Sequence, residues 1–286
     1  MARRPRLTDL LRWNIHRAAV LCALVALGGA LFPGALPAWF LLLTALLVLV
    51  SADGMFRPGS SLFHPAVSHG DRTSRKVALS FDDGPDPEVT PQVLDVLKRH
   101  GARATFFVVG RALAAQPELG RRMAAEGHVL ANHSWQHSFL QNFYMTGRHV
   151  QELTRCEEAI AAATGRRPLP LYRPPVGIKS GELGHALWKK GLTLVAWSVH
   201  SRDTLDADPG RMAQRVLKRI RGGDIVLLHD GHHLPGRHRG GCAEAVSIIL
   251  EGLRERGLEC VTLPELLGIG PEAESEPLPG RPEALT

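Results

Sequence analysis

The sequence predicts an α/β protein built on a parallel sheet and preceded by an N-terminal membrane anchor. Seven short β-like runs alternate with amphipathic helical patterns between residues 76 and 267. Residues 18–50 carry no charge, which is typical of membrane segments. With 44% hydrophobic and 22% charged residues, the composition excludes global disorder. The sheet is either a closed barrel or an open doubly wound sheet, and the lack of a GxGxxG or Walker loop argues against a nucleotide site.

The anchor begins with a basic segment, 1–17, which holds five arginines against the single acidic residue Asp9. An unbroken helix over 18–50 would be about 50 Å long, whereas the hydrocarbon core of a bilayer is about 30 Å thick. Pro33, Gly34 and Pro37 interrupt the run, so we predict two short membrane segments, 18–32 and 38–50. The alternative is a cleavable signal peptide. Against it, the apolar region is long and no A-x-A site follows.

The rest of the chain divides into a linker, a folded domain and a tail. Residues 51–75 are predicted as a polar linker because they contain Pro58-Gly59-Ser60-Ser61, and 268–286 as a disordered tail because prolines and glutamates stand there with almost no large apolar residue. The folded domain is 76–267. Its predicted strands are 77–81, 105–109, 128–131, 171–173, 193–197, 224–228 and 259–262. Its predicted helices are 91–100, 117–126, 147–164, 180–190, 209–221 and 243–256, three of which begin at or beside a proline.

Charge and cysteine content limit the possible partners. The net charge of +6 is mild and aromatic residues amount to only 6%, so a nucleic-acid partner is not expected. The four cysteines show no CxxC spacing, which argues against a disulfide scaffold and a cysteine-built metal site. Nothing in the sequence indicates a protein partner.

Ionisable residues follow most of the predicted strands, where barrel proteins of this kind carry their chemistry. His133 and His137 are four residues apart, on one helical face or in a tight turn, and can share a metal ion. Asp82 and Asp83 end the first strand, so one can bind the metal while the other acts as a base. Taken singly, these patterns also fit a solvated histidine pair and an ordinary DDGP turn. Together, two histidines and one aspartate form a three-ligand site with open positions.

Five motifs in this order resemble the polysaccharide deacetylases, the NodB-homology group also described as carbohydrate esterase family 4. They are ALSFDDGP at 78–85, HSWQH at 133–137, RPPVG at 173–177, the segment from Trp197 to Asp203, and LLHDG at 227–231. The resemblance covers roughly 76–265. It implies a distorted (β/α)7 barrel, related to the TIM barrel, and hydrolysis of the N-acetyl group of an amino sugar.

The resemblance also implies a role for each matching residue. Asp82 matches the general base, and Arg173 the arginine that orients it. The divalent metal, usually zinc, would be held by Asp83, His133 and His137. The remaining positions match the general acid, the carboxylate that tunes it, the backbone N–H that binds the oxyanion and the residue lining the acetyl pocket; they are His229, Asp203, Val176 and Leu227.

The fourth motif departs from the family pattern of Trp-x-x-Asp-x-x-Asp-Trp. Asp203 keeps its position, but His200 stands where the family has an acidic residue and Thr204 where it has tryptophan. We therefore expect the catalytic chemistry to be preserved and the substrate groove to differ.

The expected function is that of a metal-dependent deacetylase acting on an N-acetylated amino sugar, carried by a polymer or by a membrane lipid. Alternatives are hydrolysis of an ester or formamide, and a catalytically silent carbohydrate-binding relative. The latter would not need Asp82, Arg173 and His229.

The expected location is the cytoplasmic (inner) membrane of a bacterium. Arginines precede the first apolar segment, and Arg57, Arg72, Arg75 and Lys76 follow the second, which favours a hairpin with the catalytic domain in the cytoplasm. Against this, 13 residues are short for a span, and a single crossing would place the domain outside.

Overall fold

The computed structural model describes residues 7–30, 38–231 and 241–269. The chain divides into two compact units. We call the first the helical unit; it comprises Met1–Ala66, Ser138–Gln151 and Pro174–Leu194. The second, the sheet unit, comprises Val67–His137, Glu152–Arg173 and Val195–Thr286.

The helical unit contains the predicted anchor as two helices, α1 (Leu7–Ala30) and α2 (Ala38–Phe56). α1 packs against α2 and against a later helix of the same unit, α7 (Gly181–Lys190). Among the described residues, α2 alone is long and apolar enough to cross a bilayer, with 19 residues. α1 contributes a shorter apolar stretch, Arg17–Gly29. The helix that contains the predicted segment 38–50 thus extends to Phe56.

α2 extends beyond the predicted segment 38–50 because hydrogen bonds hold its polar C-terminal end. Asp53 accepts hydrogen bonds from Arg57 at 3.1 Å and from Ser60 at 3.2 Å. Gly54 lets the helix approach the chain closely, since a Cβ there would lie 2.5 Å from the Leu62 side chain. Residues 51–56, assigned to the linker from the sequence, are thus helical.

The remaining elements alternate as strand and helix along the chain. The strands are β1 (Ala66–Val67), β2 (Lys76–Asp82), β3 (Thr105–Val108), β4 (Val129–Asn132), β5 (Leu171–Tyr172), β6 (Thr193–Val195), β7 (Val199–His200), β8 (Ile225–His229) and β9 (Glu259–Val261). The helices are α3 (Val89–Arg99), α4 (Gly110–Ala115), α5 (Pro117–Ala125), α6 (Thr146–Thr164), α8 (Pro209–Leu217), α9 (Cys242–Glu255) and α10 (Leu263–Leu267).

Within the sheet unit, β2 is the central strand. The order is β5-β4-β3-β2-β8-β7, an open path of parallel strands. β8 pairs with β2 along one side, while β9 and β3 share the other, pairing with Lys76–Ala78 and Ser80–Asp82 respectively. The α/β class and the parallel sheet are confirmed.

The two faces of β2 separate the core from the chemistry. Val77, Leu79 and Phe81 are fully buried in the larger hydrophobic cluster, which includes residues of α3 and α9. Side chains alternate along a strand, so Ser80 and Asp82 share the opposite face with Ala78, which belongs to a second buried cluster. This alternation brings a carboxylate to the carboxyl end of the central strand on the inner face.

All seven predicted strands are present, and the structure adds the two-residue strands β1 and β7 and the short helices α4 and α10. β1 and β7 are too short for their residues to show a period. α10 ends at Gly268 in the left-handed conformation. Apart from Gly268 and Ile269, the predicted tail 268–286 lies outside the described residues, as does 1–6 of the basic segment.

Candidate metal centre and active site

Three predicted metal ligands converge at the carboxyl ends of β2 and β4. One ligand atom from each of Asp83, His133 and His137 can be chosen so that all lie within 4.8 Å of one another. Asp83 Oδ1 is 3.4 Å from His133 Nε2 and 3.3 Å from His137 Nε2. All three residues have at most 9% of their surface exposed. A buried carboxylate between two imidazole nitrogens is a donor set that suits a divalent cation.

The hydrogen bonding of His133 supports its role as a ligand. Its Nδ1 lies 2.7 Å from the carbonyl oxygen of Arg173. Because a carbonyl oxygen only accepts, Nδ1 donates in this bond, and Nε2 is the ring nitrogen that faces Asp83. Metal-binding histidines are oriented by this kind of bond. The residues therefore fit a divalent metal ion.

A tight turn, not a helix, brings the two histidines together. Ser134 and His137 have positive φ angles of 70° and 53°, which a right-handed helix does not allow. Asn132 Oδ1 accepts from Ser134 N at 2.9 Å, and Ser134 Oγ accepts from His137 N at 3.0 Å. Asn132 Nδ2 is itself fixed to Leu153 O at 2.8 Å. The side chains between the histidines thus stabilise a backbone that aims both rings at Asp83.

Asp82 is held by a buried arginine. Arg173 is fully buried and donates from Nη1 to Asp82 Oδ1 at 2.7 Å and to Ser80 Oγ at 2.9 Å. The carbonyls of Val195 and Ala196 accept from its Nε and Nη2. Burial lowers the pKa of Arg173, and the charge of Asp82 opposes that shift. The other oxygen, Asp82 Oδ2, is 3.9 Å from His133 Nε2, so it faces the metal ligands.

His229 lies opposite Asp82 in the β2–β8 register. Its Nδ1 is 2.8 Å from Asp203 Oδ1, and its backbone N–H donates to Asp203 Oδ2 at 2.8 Å. One oxygen of the Asp203 carboxylate therefore fixes the imidazole of His229, and the other fixes its backbone. The His200 ring lies 6.0 Å from the His229 ring, and burial lowers the pKa of His200 to about 4. His200, which stands where the family has an acidic residue, is therefore an uncharged imidazole beside His229 at neutral pH.

The last two predicted residues differ in location. Leu227 is 2% exposed and pairs with Ser80 on one side and with His200 on the other. Val176 belongs to the helical unit, in the 3-10 turn Pro175–Gly177, with φ at 51° and about half of its surface exposed. The eight predicted site residues other than Val176, Leu227 included, belong to the sheet unit.

Asp230 is a buried carboxylate to which the sequence analysis gave no role. Thr90 Oγ1 donates to its Oδ2 at 2.6 Å, and its backbone N–H donates to Asp82 O at 3.2 Å. Burial is the main reason that the pKa of Asp230 rises to about 7. A Cβ at Gly84 would collide with this carboxylate, and one at Gly231 would lie 2.5 Å from the backbone of Asp83. The glycines of FDDGP and LLHDG were the available signal, because they allow the two turns to touch.

Comparisons with known proteins agree with this geometry. The Polysaccharide deacetylase family profile matches residues 69–195. A chitooligosaccharide deacetylase of Bradyrhizobium sp. (strain ANU 289) is 41% identical over 215 residues, which are 72% of this chain and 97% of that protein. A peptidoglycan-N-acetylglucosamine deacetylase of Listeria monocytogenes is 36% identical over 69% of this chain, and the match spans 40% of that longer protein. The crystal structure of the Bc1960 peptidoglycan N-acetylglucosamine deacetylase superposes with a TM-score of 0.67 at 31% identity, covering 72% of this chain and 94% of that one.

A buried set of two histidines and one aspartate at the strand ends of an α/β sheet can hold a divalent metal ion. The chain belongs to the polysaccharide deacetylase family, whose members hydrolyse a carbon–nitrogen bond. The predicted family, fold class and type of activity are confirmed.

Proposed function

We propose that the chain removes the acetyl group from N-acetylglucosamine units of a sugar polymer or of a lipid-linked sugar. The observation that carries this proposal is the facing pair Asp82 and His229, register partners on adjacent strands beside the metal-ligand set. A binding protein needs neither a base nor an acid. The names of the relatives, chitooligosaccharide deacetylase and peptidoglycan-N-acetylglucosamine deacetylase, support the substrate.

The metal is zinc in this proposal, held by Asp83, His133 and His137. Two imidazoles and one carboxylate, with positions left open, are typical of catalytic zinc sites. When bound, such an ion polarises the amide carbonyl and makes water a stronger nucleophile.

Asp82 removes the proton from the attacking water at Oδ2. Arg173 Nη1 fixes the side chain by donating to Oδ1, and Ser80 Oγ accepts from the same nitrogen and so holds the guanidinium in place. Oδ2 therefore remains directed at the metal ligands. The Arg173 cation also fixes the orientation of the Asp82 carboxylate, at 2.7 Å from its Oδ1. Positioned bases of this kind contribute about 10²–10⁴-fold to a rate.

His229 donates the proton that the leaving sugar amine requires, from Nε2. Its Nδ1–H is directed to Asp203, which stabilises the imidazolium between proton uptake and release. Leu227, on the same face, is the proposed lining of the acetyl-methyl pocket. The Val176 amide remains the proposed oxyanion donor on the RPPVG motif alone.

Mass spectrometry of the purified full-length chain with zinc tests the proposal. Chitooligosaccharides, peptidoglycan fragments and lipid-linked N-acetylglucosamine are offered in parallel with an O-acetyl sugar and an N-formyl sugar. We expect loss of 42 mass units per N-acetyl group (about the mass of C2H2O, by the stoichiometry of amide hydrolysis) and release of acetate. Asp82→Asn is the matched inactive control. Turnover confined to the ester or the formamide would overturn the assignment to N-acetyl groups.

We further propose that α1 and α2 form a membrane hairpin with both polar ends on the same side. Lys179 and Glu182, at the start of α7, support this, because they bond to α1 and to the residues that directly follow α2. Glu182 pairs with Arg17, where the apolar part of α1 begins. Lys179 Nζ donates to the carbonyls that follow α2, those of Arg57 at 2.7 Å, Pro58 at 3.0 Å and Ser60 at 2.8 Å.

Basic residues at both ends of the hairpin favour the cytoplasmic side. Fusions of alkaline phosphatase and of a fluorescent protein after Leu267 test this assignment. We expect fluorescence without phosphatase activity. The reverse pattern would mean that the domain is exported, and the hairpin would be refuted.

A further inference from the structure

One surface segment of the helical unit exposes apolar side chains and buries a polar one. In 139–145, which we call the apolar loop, Phe139, Leu140, Phe143 and Met145 are 56–83% exposed, whereas Gln141 is 2% exposed. Among the described residues outside α1 and α2, these four are most of the large apolar side chains that are exposed. A patch of this kind on an otherwise ordinary surface marks a site of interaction.

The backbone of the apolar loop is ordered, so the exposure is built into its conformation. Phe139–Phe143 form a 3-10 turn, begun by Ser138, whose Oγ accepts from Leu140 N at 3.2 Å. The turn closes with Tyr144 N donating to Gln141 O at 2.9 Å. Since side chains eclipse every third residue in a 3-10 helix, Leu140 and Phe143 lie on one side of the turn.

Hydrogen bonds tie the apolar loop to the start of the membrane anchor. Thr146, the residue after the loop, donates from its backbone N to Glu182 Oε2 at 2.9 Å and from its hydroxyl to the same oxygen. The other oxygen, Glu182 Oε1, pairs with Arg17. Arg17 is the last charged residue before the uncharged run 18–50, so it marks the level at which α1 enters the bilayer. The loop is therefore fixed at that level.

We propose that the apolar loop inserts its exposed side chains into the interfacial layer of the bilayer that α1 and α2 enter. The partner is the lipid surface itself, because the loop is anchored to the charged end of a membrane helix and all of its fully exposed side chains are apolar. Amphipathic segments bury their apolar side about 5–10 Å into this layer. The inference rests on the proposed membrane hairpin.

Spin labels on the full-length chain in lipid nanodiscs test the insertion. The half-exposed thiols Cys22 and Cys260 are first replaced by alanine. Labels are then placed at Phe143→Cys, at Leu42→Cys in α2 as the lipid reference, and at Leu205→Cys as the water reference, since Leu205 is an 80% exposed apolar residue of the sheet unit. Met145→Cys is a second reporter of the loop. Each label is read by its accessibility to oxygen, which concentrates in lipid, and to a water-soluble nickel chelate.

We expect the oxygen-to-nickel ratio at 143 and 145 to exceed the ratio at 205 several-fold and to approach that at 42. Ratios at 143 and 145 equal to that at 205, with 42 still in lipid, would overturn the insertion and leave the hairpin intact. A water-like ratio at 42 would refute the hairpin and the insertion with it. Low access to both reagents at 143, with dipolar broadening between labels, would show that a second copy covers the loop and would also overturn the proposal.

Discussion

Replacing Asp203 with asparagine separates proton donation from every other step of the proposed reaction. In the native chain, the two Asp203 oxygens accept from Nδ1 and from the backbone N of His229, each at 2.8 Å. An asparagine has one oxygen, so it can satisfy only one of these donors. If the oxygen keeps the backbone N–H, the amide NH2 faces Nδ1 and protonation of that nitrogen is blocked. The imidazolium that must donate to the leaving amine is then destabilised.

The size of the effect follows from the bond that is lost. A hydrogen bond to a charged group contributes about 1.5–3 kcal/mol. At about 1.4 kcal/mol per tenfold in rate, the variant should lose roughly 10- to 100-fold in kcat/KM for an N-acetyl sugar at neutral pH. A sugar ester with a good leaving group needs no such proton and should lose much less. The pH profile for the amide should lose activity first on its alkaline side, where the unsupported imidazolium gives up its proton.

The assay compares kcat/KM for the amide and the ester over pH 5–9 (about the range in which histidine titrates) in the native chain and the variant. Asp206→Asn is the matched control, because it removes a carboxylate three residues away that pairs with Arg211 and Arg215 at the surface. The control should keep the native ratio of amide to ester activity. Equal losses on amide and ester in Asp203→Asn would refute the role assigned to His229, and an unchanged amide rate would refute the role assigned to Asp203.

Three further outcomes are expected. Asp82→Asn should keep its metal, measured by elemental analysis, and lose at least about 10²-fold in turnover because the base is gone; loss of the metal would make Asp82 a ligand instead. His133→Ala should lose both metal and activity, and one tightly bound ion in this variant would contradict the site. Burial lowers the pKa of His128 to about 4. Protonation of this histidine in the unfolded chain therefore lowers the free energy of unfolding as the pH falls from 6.5 towards 4, by up to about 3 kcal/mol. Because asparagine does not titrate, the melting temperature of His128→Asn should fall less steeply on the acid side; an equally steep fall in both chains would contradict this.

The sequence predicted the parts of the fold that carry a period or a motif. β2 was predictable from its short apolar run, and in the structure the alternation of Val77, Leu79 and Phe81 with smaller residues places Asp82 on the inner face. The two-residue strands β1 and β7 carry no period, and they form through pairing with strands distant in sequence. β7 nevertheless matters, because its His200 pairs with Leu227, two residues before the proposed acid His229.

The backbone conformation of the turn that joins His133 and His137 could not be predicted. The four-residue spacing of His133 and His137 fits a helix as well as a turn. The choice is made by Asn132 and Ser134, whose side chains accept backbone N–H groups that a helix would use otherwise. A positive φ at a residue other than glycine costs about 1–3 kcal/mol. The side-chain hydrogen bonds that offset this cost are visible only in the structure.

The adjacent residues Asp82 and Asp83 show how one strand end can serve two chemical tasks. Asp82 is the last residue of β2, and its extended backbone directs the side chain inward to Arg173. Asp83 has φ at 79°, so the chain reverses there and its carboxylate faces the two imidazoles. In the proposed reaction, the carboxylate paired with Arg173 accepts the proton at its other oxygen. The carboxylate that faces the two imidazole rings would be the ligand of the proposed metal ion. Exchanging the two proposed roles would require exchanging the backbone conformations of the two residues.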